Sequence, residues 1–284
     1  MCYEPAATMK EQSMRCWAAA LAIVLIFTMA PVVYAGAFTM EENQVYGRLG
    51  VSYFLSSHFF DNHGEVTRGE HNLFYRDITG TAVFRAGVTD NFELGLLLPF
   101  RSQYLSDDFD ETDSLAVGDL RADVKWRFAG GEKVALALTG GTKLPYFYDV
   151  DNDLPPGDGQ VDFEGRLLAS YHFSMFNFGL DGGYRLRLSD PADNWLYGAE
   201  VGFKYSRVYG LARLEGVASV GNYADDAEVQ DYLHGPDYAL GLTRVVLGVE
   251  FTPHLSMDFT ADYTAYGRNA AYGAAYILGL NYLY

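Results

Sequence analysis

From about residue 44 onward the chain alternates apolar and polar side chains with a period of two, in blocks of ten to fifteen residues separated by short breaks. Successive side chains of a β-strand point to opposite faces, so each block reads as a strand with one oily and one ionised side. In Val117 to Phe128, Asp119, Arg121, Asp123, Lys125 and Arg127 share one face while Leu120, Ala122, Val124, Trp126 and Phe128 share the other. The same division recurs over 161–173, 176–188 and 255–266. Strands of soluble sandwiches are typically five or six residues long; blocks of twelve or more suit a tilted membrane crossing.

The pattern predicts twelve strands, at about 44–58, 72–88, 92–105, 116–128, 133–148, 160–173, 176–188, 195–206, 208–221, 238–251, 255–266 and 272–284. Breaks near Asp90-Asn91, Gly130-Gly131, Ser174-Met175, Ser206-Arg207 and Pro253-His254 are tight. Those at 59–71, 106–115, 149–159, 189–194 and 222–237 are mostly longer and polar. Short periplasmic turns alternating with longer outer loops are the habit of bacterial barrels, and closure removes edges that lipid cannot hydrogen-bond. The expected fold is therefore all-β: a single transmembrane antiparallel up-and-down barrel.

The ends of the chain sharpen this picture. Tyr272, Ala274, Tyr276, Leu278, Leu280, Tyr282 and Tyr284 alternate to an uncharged aromatic terminus, the kind of ending that the barrel-assembly machinery engages; Tyr284 is its expected contact. Phe92, Trp126, Phe128, Phe173, Phe176, Phe203, Tyr205, Phe251, Tyr282 and Tyr284 gather beside the tight turns as a periplasmic aromatic girdle. At the other end, Trp17 to Ala30 is an apolar run too short to span a bilayer, preceded by Lys10 and Arg15 and followed by Val33-Tyr34-Ala35. Residues 1–35 are thus expected to be a signal peptide, cleaved before Gly36, with 36–284 as an outer-membrane barrel. Both cysteines, Cys2 and Cys16, fall in the removed part, leaving no disulfide framework or Cys-based metal site.

The formal charge of −17 argues against nucleic acid as a partner. Its distribution says more. The inward faces carry Arg48, Arg85, Arg101, Arg121, Lys125, Arg127, Lys143, Arg166, Arg185, Arg187, Lys204, Arg213 and Arg244 against Glu93, Asp119, Asp123, Asp162, Glu164, Asp181, Glu200, Glu215, Glu250, Asp258 and Asp262. The lumen is close to balanced and slightly basic. Most of the negative excess falls in outer loops, at Asp107, Asp108, Asp110, Glu111 and Asp113, at Asp149, Asp151, Asp153 and Asp158, and at Asp225, Asp226, Glu228, Asp231 and Asp237. Two uses of the interior are open: cations lining a passage for small anionic solutes, or opposite charges pairing to fill a narrow bore.

Across most of the mature chain the motifs Gly87-Val88-Thr89-Asp90-Asn91-Phe92-Glu93-Leu94, Leu98-Pro99-Phe100, Gly118-Asp119-Leu120, Lys125-Trp126-Arg127-Phe128, Gly140-Gly141-Thr142-Lys143-Leu144-Pro145 and Gly157-Asp158-Gly159 resemble the outer-membrane transporter family named for the meta-pathway of phenol degradation, distantly related to fatty-acid and toluene channels. The resemblance implies a channel or transporter for small solutes, anionic or aromatic, among outer-membrane lipids and lipopolysaccharide. Only Gly36 to Asn43 precede the first strand, so no N-terminal plug like that of the fatty-acid channels is expected.

Other chemistry is weaker. Asp149, Asp151 and Asp153 begin like a calcium-binding EF-hand, yet Leu154 stands where Gly is needed and Gln160 where Glu is needed. No metal or other cofactor is expected; weak divalent bridging to lipopolysaccharide is the alternative use of these carboxylates. His172/Ser174, His254/Ser256 and Ser56/His58 have the spacing of an outer-membrane lipase pair but face inward without an evident orienting group. A lipid-modifying enzyme and a purely structural barrel with a closed lumen are the competing functions.

Overall fold

In the computed structural model, residues 36–149, 154–188, 192–220 and 238–284 are described. Fourteen strands in chain order are β1 (Val45–Phe60), β2 (Val66–Arg68), β3 (Phe74–Thr89), β4 (Phe92–Ser106), β5 (Glu111–Val117), β6 (Leu120–Gly130), β7 (Val134–Leu144), β8 (Asp162–Phe173), β9 (Phe176–Arg187), β10 (Asn194–Tyr205), β11 (Val208–Ser219), β12 (Ala239–Glu250), β13 (Leu255–Arg268) and β14 (Ala270–Leu283). Neighbours in sequence pair antiparallel, and β14 returns to pair with β1 from Tyr46↔Leu283 to Phe60↔Ala270. β2 is a short addition to β1, and β5 and β6 both pair β4 in succession, so the wall is a closed ring of twelve staves.

The break between β5 and β6 has a local cause. Pro99 of β4 has no N–H to donate, so the ladder is interrupted opposite Gly118, although the Gly118 N–H still donates to the Pro99 carbonyl at 2.8 Å. Two expectations shift accordingly. The acidic stretch 106–115 is a tight turn at Asp107–Asp110 followed by strand, with Glu111 and Asp113 on β5. β7 stops at Leu144, short of the expected 148, because Pro145 ends the pairing.

The outer surface is oily. At the closing seam Leu49 and Leu280, Val51 and Leu278, and Tyr53 and Tyr276 are paired across strands and all exposed. Near the tight turns Phe92 stacks on Trp126 at 6.1 Å, Trp126 meets Phe128 at 5.8 Å, and Phe173, Phe176, Tyr205, Phe251 and Tyr284 are exposed beside them. Inside lie the polar and charged side chains, Glu93, Asp162, Asn281 and Asp258 among the most buried. An apolar exterior around a polar interior, with β14 closing the ring on β1, is stable only in lipid, and the protein is an outer-membrane barrel.

Candidate functional site

The period-two register aims one residue in two of each stave at the lumen, and there the ionised side chains find each other. A chain of ion pairs runs around the wall: Glu164–Arg166 (2.5 Å), Arg166–Asp181 (3.0 Å), Asp181–Arg213 (2.5 Å), Arg213–Glu215 (2.9 Å), Glu215–Arg244 (3.6 Å) and Arg244–Asp262 (2.7 Å). Arg185 also holds Glu164 at 2.9 Å, and Arg213 holds Glu200 at 2.8 Å. Opposite, Arg85 bridges Glu93 (2.6 Å) and Asp123 (3.4 Å), Lys125 approaches Glu93 at 3.3 Å, and Arg48 pairs with Asp258 at 2.7 Å. Pairing of lumen charges, one of the two uses left open by the sequence, is thus extensive, and it fills the wall without filling the bore.

Among the described residues, chambers that share lining residues open within the barrel. An outer one of about 470 Å³ is lined by Arg101, Asp119, Arg187 and residues of β1, β3 and β12–β14. A middle one of about 470 Å³ carries Arg85, Asp123, Lys125, Glu164, Arg166, Asp181, Arg213, Glu215 and Arg244. Arg121, Lys143, Asp162 and Arg185 belong to both walls and form the neck between them. A third, of about 450 Å³, opens beside the periplasmic turn at His172 and Met175 and shares Val83, Leu97, Leu211 and Arg244 with the middle chamber. With Val246 and Ile277 these aliphatic side chains make an apolar belt next to Arg244.

At the neck Lys143 is within 3.1 Å of Asp162 and 3.5 Å of Asp119, and it also pairs with Asp158. Arg121 differs from its neighbours: its side chain is exposed to the lumen and has no carboxylate partner among the described residues. Of the twenty-four charged residues expected on the inward faces, twenty-two line these chambers; Glu250, which pairs with Lys204 at 2.9 Å, and Arg127 do not. The Arg127 guanidinium donates to Asn91 Oδ1 at 3.1 Å and to the Asp90 carbonyl at 2.9 Å, fastening a periplasmic turn, because its position is too near the strand end to reach the bore.

Two features escaped the sequence reading. Asp77, buried, binds Arg101 and accepts from Tyr75 OH at 3.1 Å and Thr79 Oγ1 at 2.5 Å; the alternation Tyr75, Asp77, Thr79, Thr81, Val83, Arg85 carried that signal. The larger miss is Gly36–Gln44, which folds back into the periplasmic half of the lumen, contrary to the expected lack of a plug. Ala37 N donates to Ser170 Oγ at 2.8 Å, Lys125 Nζ donates to the Phe38 carbonyl at 3.0 Å, and Met40 N donates to Glu93 Oε2 at 3.1 Å. Ala37 and Phe38 pack on Ala135, Ala137 and Leu168.

The outer mouth is narrowed by chain as well. The segment 154–161 folds inward, so Asp158 is no solvated loop carboxylate: it pairs with Lys143 and Arg187, and the neighbouring Pro156 carbonyl accepts from Arg101 at 2.6 Å. Burial raises the pKa of Asp158, but the two cations outweigh it and hold the carboxyl below its ordinary range. Tyr148 OH donates to Asp119, and burial with this bond raises the phenol pKa. Asp107 is a turn former whose carboxylate accepts from Phe109 N (2.7 Å) and Asp110 N (2.8 Å), which lowers its pKa. Asp151 and Asp153 of the calcium reading, and the acidic stretch Asp225–Asp237, lie outside the described residues.

Among the described residues none of the three serine–histidine pairs forms a hydroxyl-to-imidazole hydrogen bond; His58 Nδ1 lies 3.1 Å from Ser57 Oγ instead. Ser56 Oγ has the carbonyls of His58 (2.5 Å) and Tyr272 (2.8 Å) as acceptors for its one proton, His254 Nδ1 lies 2.8 Å from the Leu283 carbonyl, and Ser256 Oγ accepts from Tyr209 OH at 3.2 Å. Ser174 sits in the turn with φ 56°.

No family model matches the chain, and no curated sequence matches it. Solved structures do. The COG4313 outer membrane channel from Pseudomonas putida F1 superimposes with a TM-score of 0.71 at 16% identity, over 89% of this chain and 100% of that one. The translocator domain of the autotransporter NalP from Neisseria meningitidis gives 0.52 at 12% identity, over 98% and 96%. The KdgM porin gives 0.51 at 5% identity, over 84% and 98%. In fold, the chain is an outer-membrane barrel like that of the COG4313 channel, in agreement with what its strand-and-turn motifs implied.

Proposed function

We propose that this barrel is an outer-membrane channel that passes small amphiphilic anions, aromatic carboxylates among them. Arg121 carries the reading: at the neck, where every other lining charge has a partner, it offers a cation to whatever passes. Just inside, Val83, Leu97, Leu211, Val246 and Ile277 flank Arg244, a surface for the ring of a solute whose carboxylate has cleared the neck. The COG4313 protein on which the chain superimposes is an outer membrane channel, and that likeness supports a channel here. Outer-membrane lipids and lipopolysaccharide are the surroundings that the oily wall fits.

The test is the reversal potential of purified protein in planar bilayers under a salt gradient. Anion preference is expected, lost in Arg121→Gln, with benzoate permeating liposomes faster than an uncharged sugar of similar size. Absence of any conductance, with the fold intact, favours the second reading, a structural barrel closed by its paired charges and N-terminal tail. Lipid hydrolysis that disappears in Ser56→Ala, Ser174→Ala or Ser256→Ala favours an enzyme instead.

A further inference from the structure

Within the lumen, Glu200 of β10 is 7% exposed. Its Oε2 accepts from Arg213 Nη1 at 2.8 Å, while its Oε1 is fully buried and has no hydrogen-bond partner. A buried carboxylate oxygen without a donor is costly and calls for a missing one. What faces it is Gly36, the first residue after the expected cleavage point. A Cβ built on Gly36 would lie 3.2 Å from Glu200 Oε1 and would collide with Ser170 Oγ. The space at this position thus admits only glycine.

We propose that processing before Gly36 completes a latch: the new α-ammonium of Gly36 enters the space beside Glu200 Oε1 and Ser170 Oγ, and this ion pair pins the N-terminal tail inside the barrel. In the uncleaved chain the Gly36 nitrogen is an amide with one proton. Hydrolysis of the Ala35–Gly36 bond replaces it with an ammonium bearing three donors and free to turn about the Cα–C bond. That rotation turns the nitrogen toward where a Cβ would stand, 3.2 Å from Glu200 Oε1, once the Ser170 hydroxyl that lies in this space swings aside. Arg213 neutralises one half of the carboxylate and the ammonium the other. The tail then has a charged anchor at its tip, besides Lys125 and Glu93 along its length. The inference rests on the cleavage site read from the sequence, not on the channel reading.

The test uses the mature protein purified from outer membranes, with intact mass and N-terminal sequencing establishing the first residue. An amine-reactive ester at neutral pH labels free α-amines ahead of lysines, because the unperturbed α-amino pKa is about 7.7–8.0. Labelling of Gly36 is expected to be at least about tenfold slower in the folded barrel than in urea, with Glu200→Gln restoring most of the difference and heat-modified gel mobility confirming that the variant is folded. Should Glu200→Gln fail to assemble, Ser170→Ala keeps the carboxylate and is expected to retain most of the protection. A first residue other than Gly36, or equal labelling of folded and unfolded protein, overturns the proposal. The readout is independent of conductance, so failure of the channel reading leaves it standing or falling alone.

Discussion

Lys125 of β6 donates from its ammonium to the carbonyl oxygen of Phe38 at 3.0 Å, and the same nitrogen lies 3.3 Å from Glu93 Oε1. One side chain thus joins the wall of the barrel to the tail folded within it. Both partners are almost fully buried, at 6% and 2% exposure. Breaking a buried pair strands a charge and costs about 3–5 kcal/mol. Lys125→Met leaves Glu93 with Arg85, so a loss near the lower end, about 3 kcal/mol, is expected in urea unfolding of detergent-refolded protein. The freed tail is also expected to raise single-channel conductance; unchanged conductance in a destabilised variant would mean that the tail does not obstruct the path.

The apolar belt makes a separate prediction about selectivity. Leu97 and Leu211 lie where the middle and periplasmic chambers meet, beside Arg244. Apolar contact is worth roughly 25 cal/mol per Å² removed from water. Losing about 50 Å² of contact with an aromatic ring therefore costs about 1 kcal/mol, a several-fold effect. In Leu97→Asn or Leu211→Asn the permeation of benzoate relative to acetate is expected to fall several-fold while total ionic conductance holds. Equal loss for both anions would place the belt outside the solute path.

Legibility in the sequence follows from periodicity. The staves and the inward placement of Arg121, Arg185, Arg213 and Asp181 were readable because twelve-residue alternation leaves one register in which the oily face meets lipid. Arg127 obeys the same alternation, but period alone does not say how far along the stave a residue sits. The tail Gly36–Gln44 has no alternation to read, and its partners Ser170, Glu93 and Lys125 come from distant staves. Asp158 looked like its acidic neighbours; only the inward fold of 154–161 brings it to Lys143 and Arg187. Pairing between remote elements is a property of closure and leaves no local trace.

Asp158 gives the outer mouth a defined response to acid. Its carboxyl pKa is lowered in the folded protein, because Lys143 and Arg187 outweigh the effect of burial. A lowered folded pKa means stabilisation that is present above the unfolded value, about 3.9, and lost as pH falls through the folded value. The inward fold of 154–161 is therefore expected to survive at pH 5 and to loosen only below about pH 4. Limited proteolysis by pepsin across pH 2–5 checks this, with cleavage near Leu154 rising at the acid end. In Asp158→Asn the segment is expected to be cleaved at every pH in that range; a wild-type profile in the variant would remove Asp158 as the anchor.

The C-terminal residue separates assembly from stability. Tyr284 N donates to the Val45 carbonyl at 2.7 Å and Val45 N donates to the Tyr284 carbonyl at 3.0 Å, closing the periplasmic end of the seam. Both bonds are made by the backbone, while the ring is 75% exposed on the outer surface. Tyr284→Ala keeps the bonds and removes only the ring, so stability of the refolded barrel is expected to change by less than about 1 kcal/mol. Recognition by the assembly machinery, by contrast, is proposed to read the terminal aromatic. Steady-state levels in the outer membrane are therefore expected to fall several-fold in Tyr284→Ala and to be preserved in Tyr284→Phe. If both variants accumulate like the wild type, the ring has no part in assembly; if Tyr284→Ala also refolds poorly in detergent, the ring stabilises the seam itself.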